Sequence, residues 1–332
     1  HIKVFAGGGG VIVPSEIEDL EAYGIEKIYS PEDGRQLGLD GMIEDLISRT
    51  RAAKEARIPS TDESLAPSVK RPVALARMLT GLEEGRRPQV ELDEAKVVPV
   101  MGITGPGGAG KSSLTDELLT RFRYAFGSKN LAVLSIDPTK RRTGGALLGD
   151  RIRMNALDTD TIFMRSMATR RSHLATNEML QDAIALLKRA GFDLIIVETA
   201  GIGQGGSEIV DVVDLSLYVM TSEYGAASQL EKIDMIDYAD IIVLNKYEKQ
   251  GSLDAVRDIR KQWRRSRKDW DVADDAIPVY PTIASQFNDP GVNRLFETIV
   301  KRLTEVQEDA GWNTTDVHDP REVERHAMIP AD

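Results

Sequence analysis

The sequence predicts an α/β protein built on a parallel β-sheet with helices on both faces. Three observations carry that expectation. Short β-branched runs recur between stretches with helical apolar spacing, the pattern of strands buried on both sides. A glycine-rich loop, GPGGAGKSS, joins one such run to an amphipathic helix. A smaller strand–helix–strand–helix pattern precedes both, within the first 57 residues.

That first segment reads as a strand over Ile2 to Ala6, a run of four glycines, a helix over Pro14 to Tyr23, a strand over Lys27 to Tyr29 and a helix over Met42 to Ala56. Pro14 suits a first helical turn, where a missing N–H costs little. Ile17, Leu20 and Tyr23 keep helical spacing until Gly24. One such unit is too small to cover both faces of its own sheet, so it reads as the last two strand–helix units of a parallel α/β domain. Residues 58–95 then form a Pro-bounded polar linker and a short amphipathic helix, VALARMLTGLEEG. A second domain is expected over 96–308. Its strands are VVPVMGIT, LAVLSID, TIFMRS, DLIIVET, LSLYVMT, DIIVLN and IPVYPT. Its helices lie near Lys111–Phe126, Asn177–Ala190, Ala227–Tyr238, Ser252–Asp269 and Val292–Glu308. Residues 309–332 are polar, contain Pro320 and Pro330, and read as a linker toward a further domain.

Composition narrows the class. With 332 residues, 41% hydrophobic and 29% charged, the chain has the make-up of a water-soluble globular protein, and nothing in it argues against the cytoplasm. No apolar run is long enough to span a membrane, and no secretory signal opens the chain. The absence of Cys excludes disulfides, thiolate metal sites and Cys nucleophiles. A net charge of −11 argues against nucleic acid as the main partner. The basic stretch RDIRKQWRRSRK, Arg257 to Lys268, runs against that trend, as a solvated helix face or an RNA- or partner-binding helix.

Gly105, Gly110, Lys111 and Ser112 match G-x-x-x-x-G-K-[ST], with a buried strand entering and an amphipathic helix leaving. Glycines at Gly105, Gly107, Gly108 and Gly110 are expected to let backbone amides turn inward around a β-phosphate, aided by the dipole of the helix that starts near Lys111. Lys111 reaches the β- and γ-phosphates, and the Ser112 hydroxyl is a magnesium ligand. The first glycines, Gly7 to Gly10, fail this test. VIVP separates them from the next helix, and Glu16, Glu18 and Asp19 would repel phosphate from its first turns.

NKYE, Asn245 to Glu248, closes a predicted strand and resembles the guanine-selecting N-K-x-D of GTP-binding proteins. Its carboxylate accepts from guanine N1 and N2, and Glu248 is one methylene longer than Asp. TIAS, Thr282 to Ser285, partly matches a second base-contacting loop. Glu198 and Thr199 end the strand DLIIVET beside the expected phosphates. Asp137 ends LAVLSID and leads into PTKRRTGGALLGDRIRM, a Gly- and Arg-rich loop suited to a mobile switch. Asp137 and Asp150 flank that loop, two acids suited to magnesium, and Arg153 suits phosphate charge. Glu198 and Asp137 are both candidates for positioning the attacking water.

The combined motifs GPGGAGKSS, SIDPTKRRTGGALLGDRIRM, DLIIVETAGIGQGGSE and NKYE resemble the GTPases that accompany cobalamin-dependent acyl-CoA mutases, over about Pro72 to Glu308. The resemblance implies a P-loop NTPase sheet, GTP as nucleotide, and magnesium served by Ser112, Asp137, Asp150, Glu198 and Thr199. It assigns GTP to Gly107 through Ser112, Arg153, Asn245, Lys246 and Glu248, and catalysis to Lys111, Asp137 and Glu198. It also matches TSEYGAASQLEKID to a switch that senses the mutase. The segment VFAGGGGVIVPSEIEDLEAYGIEKIYSPEDG resembles the end of a flavodoxin-like cobalamin-binding domain, in which Gly8 and Gly9 approach the cofactor's nucleotide tail. Such a domain directly followed by this GTPase resembles the fused isobutyryl-CoA mutase family. This implies adenosylcobalamin as cofactor of the longer protein, cobalamin and mutase domains as partners in one polypeptide, and a homodimer. The D-x-H-x-x-G motif that supplies a lower axial His is absent, and none of His1, His173, His318 or His326 has its context. Two other readings stay open at this point: a stand-alone metallochaperone-type GTPase, and a P-loop small-molecule kinase or ATPase.

Overall fold

The structure is a computed structural model that describes residues 3–7, 13–56, 67–86, 97–138, 154–157, 159–169, 173–199, 209–225, 230 and 233–312. The chain divides into two compact units, His1–Leu65 and Ala66–Asp332.

The first unit pairs β1 (Phe5–Gly7) parallel to β2 (Lys27–Tyr29). Between them α1 (Pro14–Tyr23) starts on Pro14, and the Glu16 carboxylate accepts from the Val13 amide at 3.1 Å. After β2, α2 (Pro31–Ala56) begins eleven residues before the expected Met42. Its start is a capping box: the Ser30 amide donates to Asp33 Oδ2 at 2.7 Å, and Ser30 Oγ accepts from the Asp33 amide at 3.2 Å. The Ser30 amide, and after it the Ser30 hydroxyl that donates to Asp33 Oδ2 at 2.8 Å, hold the Asp33 carboxyl below its ordinary pKa. Three glycines obscured this turn in the sequence. Gly38, at φ 63, interrupts the helix and separates the first turns from the segment read as helical. Tyr29 and Arg49 Nε each donate to Asp45 Oδ2 at 2.9 Å, fastening β2 to α2, and together depress the Asp45 carboxyl. Among the described residues of this unit only Ile28 and Tyr29 are buried, whereas Leu39, Ile43 and Ile47 of α2 are exposed.

The second unit opens with α3 (Pro72–Glu83), which buries Leu75, Met78, Leu79 and Leu82. It is fixed to a strand by Arg165, whose guanidinium donates to Thr80 Oγ1 and Glu83 Oε2, both at 2.9 Å. Seven strands follow: β3 (Val100–Thr104), β4 (Leu131–Pro138), β5 (Ile162–Thr169), β6 (Leu194–Thr199), β7 (Leu215–Met220), β8 (Ile241–Asn245) and β9 (Val279–Thr282). They form one sheet in the order β5-β4-β6-β3-β7-β8-β9, and every pairing is parallel. The helices α4 (Lys111–Ala125) and α8 (Pro290–Val306) cover one face. The other carries α3, α5 (His173–Ala190), α6 (Met235–Tyr238) and α7 (Ser252–Arg267). All seven predicted strands are present, and burial on both faces explains their unbroken apolar runs. Of the helix expected over Ala227–Tyr238, the described residues show Leu230 in helix and the four-residue α6, after a 3-10 turn at Ser222–Tyr224; the rest of that range lies outside them.

Three aspartates immediately precede strands at the N-terminal edge of this sheet. Asp193 Oδ2 accepts from the Asn130 amide at 2.9 Å, Asp214 Oδ2 from the Val100 amide at 2.8 Å, and Asp240 Oδ2 from the Ser216 amide at 2.8 Å. At the far end of the unit, Trp312 lies in the stretch read as linker yet is only 1% exposed, packed against Phe122 and Phe126 of the α4 region.

Candidate nucleotide site

The site forms at the C-terminal edge of the sheet, around β3, where the connections turn to opposite sides. The fully buried β3 delivers the chain to Gly105, whose φ is 147. A Cβ there would lie 1.9 Å from the Val219 carbonyl oxygen of β7, so only glycine can leave the strand at this point. Gly110, at φ 89, is the N-cap of α4, and a Cβ on it would meet Asn245 Nδ2 at 2.4 Å. The loop between them ends at the N-terminus of α4, whose first-turn amides and dipole make a ready anion site. Lys111 Nζ donates to the carbonyls of Gly105 at 2.8 Å and Pro106 at 3.1 Å, folding its ammonium across the loop mouth.

The β3–β6 register sets Glu198 opposite Ile103, two residues before the loop opens at Gly105. The Glu198 side chain is buried, and Ser112 Oγ donates to its Oε1 at 2.7 Å. Thr115 Oγ1 lies 3.1 Å from Oε2 of the same carboxylate. Thr199, next in β6, is half-buried and its backbone is in register with Ile136. A serine hydroxyl backed by a buried carboxylate is an all-oxygen donor set, which fits magnesium.

On the opposite side, β8 ends at Asn245, which is 2% exposed and fully engaged. Its Nδ2 donates to the Ala109 carbonyl at 2.9 Å, while Oδ1 accepts from Thr282 Oγ1 at 3.2 Å and the Ala284 amide at 3.0 Å. Asn245 thus ties the phosphate loop to both base-side segments. Lys246 sits at φ 57, unusual for a side-chain-bearing residue, and its Nζ donates to the Gly108 carbonyl at 2.7 Å. Glu248 is exposed beside them. Asn245→Ala leaves the Ala109 carbonyl and the Ala284 amide without these bonds, at about 1–3 kcal/mol each. GDP affinity is expected to fall about 10- to 100-fold, read by titration with a fluorescent GDP analogue. An affinity within about twofold of the unmodified protein would detach this loop from the site.

Sequence reasoning missed Asp289. It caps α8 through Oδ2, which accepts from the Val292 amide at 2.8 Å, and the same oxygen accepts from the Ile283 amide at 3.1 Å. That second bond holds the TIAS loop whose Ala284 amide meets Asn245. The signal was present as D-P-G, an N-cap acid before Pro at the first helical position. Lys249 Nζ reaches Glu223 Oε1 at 2.6 Å, joining the base loop to the turn after β7, and this contact keeps the Glu223 carboxyl low. Burial pushes Tyr218 of β7 up to about 12, so its phenol stays protonated.

The structure therefore brings together Gly107, Gly108, Ala109, Gly110, Lys111, Ser112, Glu198, Asn245 and Lys246. Asp137 is placed by its backbone, in register with Ala168, but its side chain lies outside the described residues. Asp150, Arg153, Gly8 and Gly9 also lie outside them.

A parallel sheet whose central strand feeds a glycine loop that ends at the N-terminus of α4 makes this unit a P-loop nucleotide-binding protein. Comparison with known proteins narrows the class. The family model described as methylmalonyl Co-A mutase-associated GTPase MeaB matches residues 89–331, and the chain belongs to that GTPase family. It is 48% identical to a fused isobutyryl-CoA mutase of Geobacillus kaustophilus over 99% of this chain and 31% of the relative. It is 53% identical to a fused isobutyryl-CoA mutase of Cupriavidus metallidurans over 91% of this chain and 28% of the relative. The chain thus spans about three-tenths of the length of these two relatives. A Pyrococcus horikoshii protein named as a GTPase is 35% identical over 68% of this chain and 72% of its own length. Among solved structures, a LAO/AO transport system kinase shares the fold at a TM-score of 0.51 and 22% identity, covering 76% of this chain and 81% of that one.

Proposed function

We propose that this chain is the GTP-hydrolysing chaperone module of a fused adenosylcobalamin-dependent mutase that interconverts isobutyryl-CoA and n-butyryl-CoA. The observation that carries the reading is the match to the Geobacillus relative across 99% of the chain, which takes in the small first unit as well as the nucleotide unit. On this reading residues 1–57 are the end of a cobalamin-binding domain, 58–95 a linker and helix, 96–308 the GTPase domain and 309–332 a connection toward the mutase. The exposed ridge of Leu39, Ile43 and Ile47 on α2 supports the first assignment, because a larger α/β domain buries such a helix face. Fusion keeps the GTPase at high effective concentration beside the mutase, where nucleotide state gates cofactor loading and protection. The protein is read as a cytoplasmic homodimer; no described helix is long and apolar enough to cross a membrane.

Hydrolysis rests on positioning and charge. The amides of Gly107 to Ser112 hold the β-phosphate, and Lys111 exchanges the Gly105 and Pro106 carbonyls for β- and γ-phosphate oxygens. Ser112 and Glu198 would hold magnesium, with Asp137, Asp150 and Thr199 as further oxygen donors; the ion supplies charge neutralisation as the leaving phosphate develops. Arg153 adds positive charge at the phosphates, Asn245 and Lys246 brace the base side, and Glu248 receives the guanine. Glu198 or Asp137 orients the attacking water. Phosphate release from GTP is expected to exceed that from ATP at least about tenfold, because the carboxylate at 248 finds no matching donors on adenine. Equal or faster ATP turnover would replace the GTPase reading of NKYE with a kinase or ATPase.

A further inference from the structure

We propose that Thr115 is a positioning residue for the magnesium site, acting by locking the Glu198 carboxylate so that Ser112 turns its lone pairs toward the cation. The proposal rests on the site reading above. Thr115 lies one helical turn after Lys111 on α4, is fully buried, and matches no position of the phosphate-loop motif. Its hydroxyl stands 3.1 Å from Glu198 Oε2 while Ser112 Oγ holds Oε1 at 2.7 Å. Two side chains of one helix therefore grip both oxygens of a carboxylate delivered by β6.

The consequence lies in the hydrogen count. A serine hydroxyl has one proton and two lone pairs. When its proton goes to Glu198 Oε1, both lone pairs face away from the carboxylate and are available to a cation. That orientation holds only while the carboxylate plane is fixed, and Ser112 fixes its Oε1 end. Thr115 supplies the second point. Its hydroxyl also lies 3.0 Å from the Lys111 carbonyl, the back-bond common for threonine in helices, so a purely helical role is the rival account. Residues that orient metal ligands in this way typically contribute 10- to 100-fold to metal affinity.

The test measures release of a fluorescent GDP analogue from the purified full chain over a range of Mg2+ concentrations and in excess chelator. Thr115→Val keeps the side-chain shape without the hydroxyl. It is expected to raise the Mg2+ concentration that half-slows release by about tenfold, leaving release in chelator unchanged, and Thr115→Ser is expected to restore the normal value. Should the valine variant fold poorly, Thr115→Ala removes the same hydroxyl and carries the same expectation. An unshifted Mg2+ dependence in the hydroxyl-less variant, alongside a lost dependence in Ser112→Ala, would overturn the proposal while leaving the site reading intact. Equal acceleration with and without Mg2+ would also overturn it, in favour of the helical back-bond. If neither Ser112→Ala nor Thr115→Val shifts the dependence, the magnesium assignment fails and takes the proposal with it.

Discussion

Replacing Lys111 with alanine is expected to lower GTP turnover by about 10³-fold or more, because a charge aimed at a transferring phosphoryl group acts most strongly in the transition state. The geometry makes Lys111 hard to substitute. Its ammonium is held across the loop mouth by the Gly105 and Pro106 carbonyls, at 2.8 and 3.1 Å, so it is already near the place a γ-phosphate must occupy. Gly105 is locked against Val219 and Gly110 against Asn245, which leaves the loop little freedom to bring another cation inward. Single-turnover phosphate release separates the chemical step from nucleotide binding. A rate within about tenfold of the unmodified protein would remove Lys111 from the catalytic assignment.

The second large effect concerns stability. Trp312→Ala is expected to cost about 3–5 kcal/mol, the range for truncating a buried aromatic residue. Trp312 stacks edge-on against Phe122 at 5.9 Å and Phe126 at 5.0 Å, and Phe122 meets Phe296 of α8 at 4.9 Å. Lys129 Nζ sits 4.5 Å from the indole centroid, and Thr304 Oγ1 donates to the Trp312 carbonyl at 2.7 Å. The aromatic group thus closes the α4–α8 face at the end remote from the phosphate loop. For a unit of this size the loss corresponds to a fall in Tm on the order of 10 °C, measurable by circular dichroism. GDP binding at low temperature should persist. A Tm within about 2 °C of the unmodified protein would show that the tail is merely laid on the surface.

The strands were legible because a parallel sheet buries both faces, so each appears as an unbroken apolar run such as LIIV or IIVL. Their order was not. The placement of β6 between β4 and β3 depends on which way each crossover turns, and no local pattern records that choice. The same gap explains the site. Lys111, Ser112 and Asn245 belong to contiguous motifs with a known chemistry, whereas the grip of Thr115 on Glu198 joins positions 83 residues apart. It exists only once α4 lies over β6. Asp289 and Ser30 are obscured for a different reason: each caps a helix whose first turn holds no apolar stripe, only P-G-V after Asp289 and P-E-D-G after Ser30. Trp312 was read with its polar neighbours, although a lone large aromatic residue beside a helix end is a common core plug.

The aspartates before β6, β7 and β8 answer a problem created by those unbroken apolar runs. A strand buried on both faces has no inside–outside alternation, so sliding it by a residue exchanges one apolar contact for another at little cost. The carboxylates of Asp193, Asp214 and Asp240 remove that degeneracy, since each meets one amide within a residue of a neighbouring strand's start, in only one alignment. They work as index marks at the sheet's floor. Because β6 carries Glu198 and β8 carries Asn245 at their far ends, a mark set five residues below each fixes the height at which those groups reach the nucleotide.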